Sequence, residues 1–283
     1  MKSMRFIFVL CVVAATTFFI YSCAKDGAEK ASTVHVENRK MISQVDLLES
    51  LKAVDPEINV SFSPAIPNPL SSDCFKQPDP GQICATTSIT NFPVNLPSRA
   101  FVAPIGTRPV CTLKTSFDVL LCVNPDGTYQ FTFSNFSTDW SNCPAFMSWF
   151  NALSNFDKGD QMSIWEYEAS LDAELIYINI VGQPLPTLCP TPIISSQFVS
   201  ENCYNRCLTL LDGPPYYRLV KSYCGNQCCI RKNKGCKNIS GFITFFDPPT
   251  FETKGQPCDI SPAVCKFNSI PLNQSCGQTC GPK

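Results

Sequence analysis

The sequence predicts a mainly β fold with two short helices, in which a β-sandwich-like central domain is followed by a disulfide-rich, loop-rich C-terminal region. Three observations carry this reading. Runs of β-branched and aromatic residues between 59 and 185 are short and are broken by turn residues, as at Asn124-Pro125-Asp126-Gly127. Helical spacing of apolar residues occurs in two brief stretches, Ile42–Leu51 and Phe146–Leu153. The third observation is sulfur: 18 cysteines in 283 residues, with ten of them between Cys203 and Cys280.

At the N-terminus, Lys2 and Arg5 precede an uncharged, largely apolar run from Phe6 to Ala24, so residues 1–22 read as a signal peptide. Ile20-Tyr21-Ser22-Cys23 resembles the lipobox of bacterial lipoproteins, with an aliphatic residue three before the cysteine and a small residue just before it. The resemblance implies acylation of Cys23, cleavage before it, and a mature chain held in the cell envelope at the outer membrane or cell surface. The following Ala24-Lys25-Asp26-Gly27-Ala28-Glu29 is similar to the Lys-acidic tag that directs some Gram-negative lipoproteins to the surface. Ordinary secretion and an uncleaved membrane anchor are the alternatives. Residues 23–38 are polar and small, a tether. A short helix is expected over 39–56, where Ile42, Val45, Leu48 and Leu51 recur every three residues with Leu47 beside them, and Asp55-Pro56 stops it.

The β-rich domain is expected over 59–185. Nine prolines between residues 59 and 110 predict short extended pieces, with Arg99–Ile105 as a strand. Asp118–Val123, the turn at 124–127 and Thr128–Phe136 read as a hairpin. Tyr129, Phe131 and Phe133 share one of its faces and are expected to bury against a sheet or helix. Pro144 opens the second helix, with Phe146, Trp149, Phe150 and Leu153 on its buried side. Ile164–Val181 reads as strand: Trp165, Tyr167, Ala169, Leu171 and Ala173 alternate with Glu166, Glu168, Asp172 and Glu174. A helix around Ala169–Leu175 is the competing reading.

The Cys-rich domain is expected over 186–283, entered through a Pro-rich linker, with strands at Tyr216–Tyr223 and Ile239–Phe246. Cys11 leaves with the signal and Cys23 carries lipid, so sixteen cysteines remain, an even number that closes as eight disulfides in an oxidising compartment. They fall into two even groups, expected to close separately. The first is Cys74, Cys84, Cys111, Cys122, Cys143 and Cys189. The second is Cys203, Cys207, Cys224, Cys228, Cys229, Cys236, Cys258, Cys265, Cys276 and Cys280. Adjacent Cys228 and Cys229 go to different partners. No Cys-x-x-Cys spacing occurs, which removes a thioredoxin-type site.

A single histidine, His35, excludes His-based metal sites and most Ser-His or Cys-His catalysis. The nucleotide, hydrolase and zinc-protease motifs are absent, so no catalytic residue, metal or cofactor is expected. The net charge of −1 disfavours nucleic acid as a partner. Seven basic residues lie between Arg206 and Lys237. Arg218, Lys221, Arg231 and Lys232 among them form a candidate patch for an anionic glycan or an envelope protein, or for internal docking on the acidic stretch Asp157–Glu174. The expected function is therefore a non-enzymatic binding or structural role in the envelope, with membrane contact through the acylated N-terminus. Two alternatives stand beside it: a surface glycan hydrolase using carboxylates, and a secreted eukaryotic Cys-rich protein, for which four Asn-x-Ser sequons would be surface sites.

Overall fold

A computed structural model describes residues 43–63, 74, 78–182, 189–190, 194–201, 203–210, 217–246, 248–258, 265, 269–272 and 280. In chain order its elements are α1 (Gln44–Val54), β1 (Asn59–Ser63), β2 (Ile83–Leu96), β3 (Arg99–Ala100), β4 (Thr107–Arg108), β5 (Cys111–Val123) and β6 (Tyr129–Asp139). Then come α2 (Pro144–Ala152), α3 (Asn155–Val181), β7 (Ile194–Glu201), β8 (Tyr204–Leu210) and β9 (Tyr217–Tyr223). The chain continues with β10 (Cys228–Lys237), β11 (Ile243–Phe245), β12 (Thr250–Lys254) and β13 (Ser269–Pro271). The mainly β class holds.

The hairpin at 124–128 sets the register of the central sheet. Gly127 takes φ +83°, which an L side chain resists, and the Asn124 amide donates to the Thr128 carbonyl. From this turn β5 and β6 run antiparallel, Val123 opposite Tyr129 and Val119 opposite Phe133. The sheet continues in the order β1-β2-β5-β6-β7-β10-β11, with β12 also on β10. Among the described residues its one parallel pairing is β6 with β7. Parallel neighbours need a crossover, and α2 and α3 supply it.

That crossover corrects the reading of Ile164–Val181 as strand. The segment is the greater part of α3, and the described residues form three helices, one of them 27 residues long. Trp165, Ala169, Ala173, Tyr177 and Val181 are all buried and recur every four residues. A four-residue stripe falls wholly on odd positions, so it mimics the period of two that the alternation suggested. Ser154 caps the helix by accepting the Asp157 amide, and Glu, Ala and Leu supply its middle.

Other differences have local causes. In α1 the buried pair is Leu47 and Leu51, four apart, while Val45 is exposed; Ile42 lies outside the described residues. The Pro-rich stretch contains the 14-residue β2, longer than the short pieces expected. Pro93 is accommodated there because β1 pairs only with Thr86–Thr90, so no second neighbour needs the missing amide. Of the strand expected at Arg99–Ile105, only Arg99–Ala100 is β; the chain then turns back into β4.

One face of the sheet packs on α3. Phe131 and Phe133 meet Tyr177 edge-on at 6.4 and 5.7 Å, and Phe117 does so at 6.0 Å. Beside them Trp140, Phe146, Phe150 and Trp165 form a second aromatic cluster that fixes α2 against α3. On the opposite face Cys74, Leu120, Cys122, Val199, Cys228 and Ile230 pack together. β8 sits in a separate sheet of order β13-β8-β9.

The bridges are Cys74–Cys228, Cys84–Cys122, Cys111–Cys143, Cys189–Cys236, Cys203–Cys258, Cys207–Cys265 and Cys229–Cys280. Cys224 is also disulfide-bonded, and Cys276 lies outside the described residues. Two bridges, Cys74–Cys228 and Cys189–Cys236, join the cysteine groups that were expected to close separately. The cause is the sheet itself, which pairs β6 with β7 and so takes strands from both sides of residue 186.

Candidate functional site

The acids of α3 are where charge and burial meet. At 100° per residue Glu166 and Glu168 point to nearly opposite sides of a helix, so the single acidic face expected from alternation does not form. Each glutamate instead meets an arginine from a different strand.

Glu174 is fully buried and takes donors from Arg231 at 2.6 Å, from Asn233 at 3.0 Å and from the Ser196 hydroxyl. Arg231, from β10, also donates to the Ser170 hydroxyl at 2.9 Å. Its guanidinium lies against two rings, Phe198 at 4.7 Å and Tyr167 at 5.2 Å. Glu166 pairs with Arg206 of β8 at 2.6 Å, and Arg206 donates further to Ser163 at 2.5 Å and to the Tyr204 hydroxyl at 3.0 Å. Burial works against the Arg206 charge, but Glu166 and Tyr204 outweigh it and hold the guanidinium above its ordinary value. Glu168 is shared by two arginines, the buried Arg108 of β4 at 2.6 Å and the half-exposed Arg99.

Asp172 differs. It is half-buried, burial raises its carboxyl above the ordinary value, and a backbone hydrogen bond from Asn95 works the other way. Lys158, in the first turn of α3, is 7% exposed, and burial lowers its ammonium. The glutamate–arginine pairs serve as clamps between α3 and the strands around it. Arg206 and Arg231 are the internal docking of basic on acidic stretches that the sequence raised.

Of the candidate anionic-ligand patch, Arg231 and Lys232 do not share a surface. Arg231 is inside, turned toward α3 because it lies on the same face of β10 as Asn233. Lys232 lies on the other face and pairs with Glu252, whose carboxyl is lowered first by that hydrogen bond. Arg218 and Lys221 lie on β9, opposite Thr209 and Arg206 in register, and their side chains are outside the described residues. Cys23 is also outside them. Sequence reasoning did not single out Arg99 and Arg108; the available signal was two arginines in a stretch of small, apolar and Pro-rich chain.

Among the described residues, no group of three or more His, Cys, Asp or Glu could hold a metal ion. No described helix is long and apolar enough to cross a membrane. Compared with protein-family models, curated proteins and solved structures, the chain matches none of them. What the fold and its bridges define is a mainly β, disulfide-stabilised protein of an extracellular, oxidising compartment.

Proposed function

We propose that the protein is a lipid-anchored component of the cell envelope or cell surface, with a binding or structural rather than catalytic role. The observation that carries the non-catalytic part is the engagement of Glu166, Glu168 and Glu174 by Arg206, Arg108 with Arg99, and Arg231. A glycoside hydrolase needs two carboxyls facing each other across a cleft, one of them able to give up a proton. A carboxylate bonded to a guanidinium serves that purpose poorly. The anchor is supported by the lipobox-like Ile20–Cys23 at the end of the apolar N-terminal run. β9, with Arg218 and Lys221, is the segment on which an anionic glycan or envelope-protein partner is to be sought.

Intact-mass measurement of the protein taken from its native membrane, before and after reduction, tests this reading. The expected result is an N-terminus at an acylated Cys23 with no free thiol, and release of a Cys23→Ala variant from acyl anchoring. Retention of Met1, or an unmodified Cys23 thiol, overturns the anchor.

A further inference from the structure

The β10–β11 hairpin carries three large apolar side chains outward. Ile239 is 95% exposed, Phe242 58% and Phe246 40%. The turn that carries them is held by hydrogen bonds and a disulfide. The Asn238 amide donates to the Phe242 carbonyl at 2.7 Å and the Gly241 amide to the Asn238 carbonyl at 3.0 Å. Asn238 Oδ1 accepts from the amides of Ser240 and Phe242 at 2.9 and 3.0 Å, and Gly241 takes φ +85°. Below the turn, Cys236 is bridged to Cys189, whose amide donates to the Lys237 carbonyl at 2.8 Å. Asn179 of α3 accepts the Ile243 amide at 2.6 Å. Ile243 is buried at the root while Phe242 and Phe246 point out, as alternation along β11 requires, and Ile239 projects from the turn itself.

Residues 213–246 contain no Asp or Glu, and Asp247 follows Phe246 directly. Lys234 is exposed, its carbonyl accepting the Phe246 amide, and the stem of Lys237 runs beside Gly241 in the turn. An apolar tip with the exposed Lys234 beside Phe246 matches the two demands of an anionic membrane surface, side chains for the acyl boundary and a cation for the headgroups. Three side chains on a convex turn fall far short of the roughly 800 Å² per partner that a stable protein interface buries. From this geometry we propose that the β10–β11 hairpin is a membrane-docking tip, with Ile239 and Phe242 entering the headgroup–acyl boundary of an anionic bilayer. The proposal rests on the envelope location in the reading above but not on the acyl chain at Cys23.

The test is the full chain carrying Phe242→Trp, mixed with phosphatidylcholine vesicles containing about a third phosphatidylglycerol and brominated acyl chains. The expected result is a blue-shifted tryptophan component, quenched by bromolipid and absent from the parent protein. Lys234→Glu lowers the inserted population fivefold or more, at roughly fivefold per basic residue lost near such a surface. An added tryptophan that stays open to aqueous iodide and ignores bromolipid overturns the proposal. So does insertion indifferent to Lys234 and to lipid charge. Quenching in a protein without an acyl group supports the tip while the anchor falls; acylated protein with an unquenched tip does the reverse. Ile239, Phe242 and Lys234 are exposed, so retained disulfides and an unchanged circular dichroism spectrum confirm that the variants are folded.

Discussion

Glu174 has no exposed surface, yet its carboxylate is met by a guanidinium, an amide and a hydroxyl. Removing one partner of such a pair leaves the other charge buried and unanswered. Glu174→Ala is expected to lose about 3–5 kcal/mol of stability, read by denaturant unfolding with the disulfides intact. Replacing both partners, Glu174→Leu with Arg231→Met, should cost far less, and the cycle between the variants measures the coupling. Asp172 carries the opposite sign. Its folded carboxyl titrates above 3.8, because burial penalises the charged form. That penalty is present above the folded value and disappears as pH falls below 3.8. Asp172→Asn should therefore stabilise the protein at neutral pH, with the advantage over the parent fading in acid. Thermal midpoints measured from neutral pH down to acid read this directly.

At the scale of elements, α3 decides the architecture, and it is where the sequence was least legible. The hairpin at 124–128 could be read because its turn chemistry is local. The second helix could be read because Phe146, Phe150 and Leu153 bury with helical spacing. In α3, Trp165, Ala169, Ala173 and Tyr177 satisfy periods of two and four alike, and only the crossover between β6 and β7 separates the readings. The clamps were partly legible: complementary acidic and basic stretches pointed to docking, but no spacing rule pairs Glu168 with Arg108 across 60 residues. Gly159 shows how closely α3 is approached. Helix propensity alone favours alanine there by about 1 kcal/mol. A Cβ at that position, however, would lie 2.1 Å from the Leu272 carbonyl oxygen, which is backbone and has little freedom to move. Gly159→Ala is thus expected to destabilise, by roughly 1–3 kcal/mol, seen as a lower thermal midpoint.

For the whole molecule, β10 is the hub. It pairs with β7 on one side and with β11 and β12 on the other. Cys228 and Cys229 are adjacent on it and so face opposite ways, one bonded to Cys74 and the other to Cys280. The Cys74–Cys228 bridge spans 154 residues, and Cys111–Cys143 spans 32. Replacing Cys74 and Cys228 together with alanine should cost about 2–5 kcal/mol. It should also cost roughly 1 kcal/mol more than the same change at Cys111 and Cys143, since longer loops lose more entropy on closure. Unfolding midpoints of the two double variants make the comparison.

The same connectivity governs how the chain matures. A polypeptide emerging from its N-terminal end presents Cys84 soon after Cys74, whereas the proper partner of Cys74 arrives 154 positions later. Oxidation in order of emergence would join the wrong thiols, so correct assembly calls for bonds that are made, broken and remade by exchange until translocation has delivered the last of the chain.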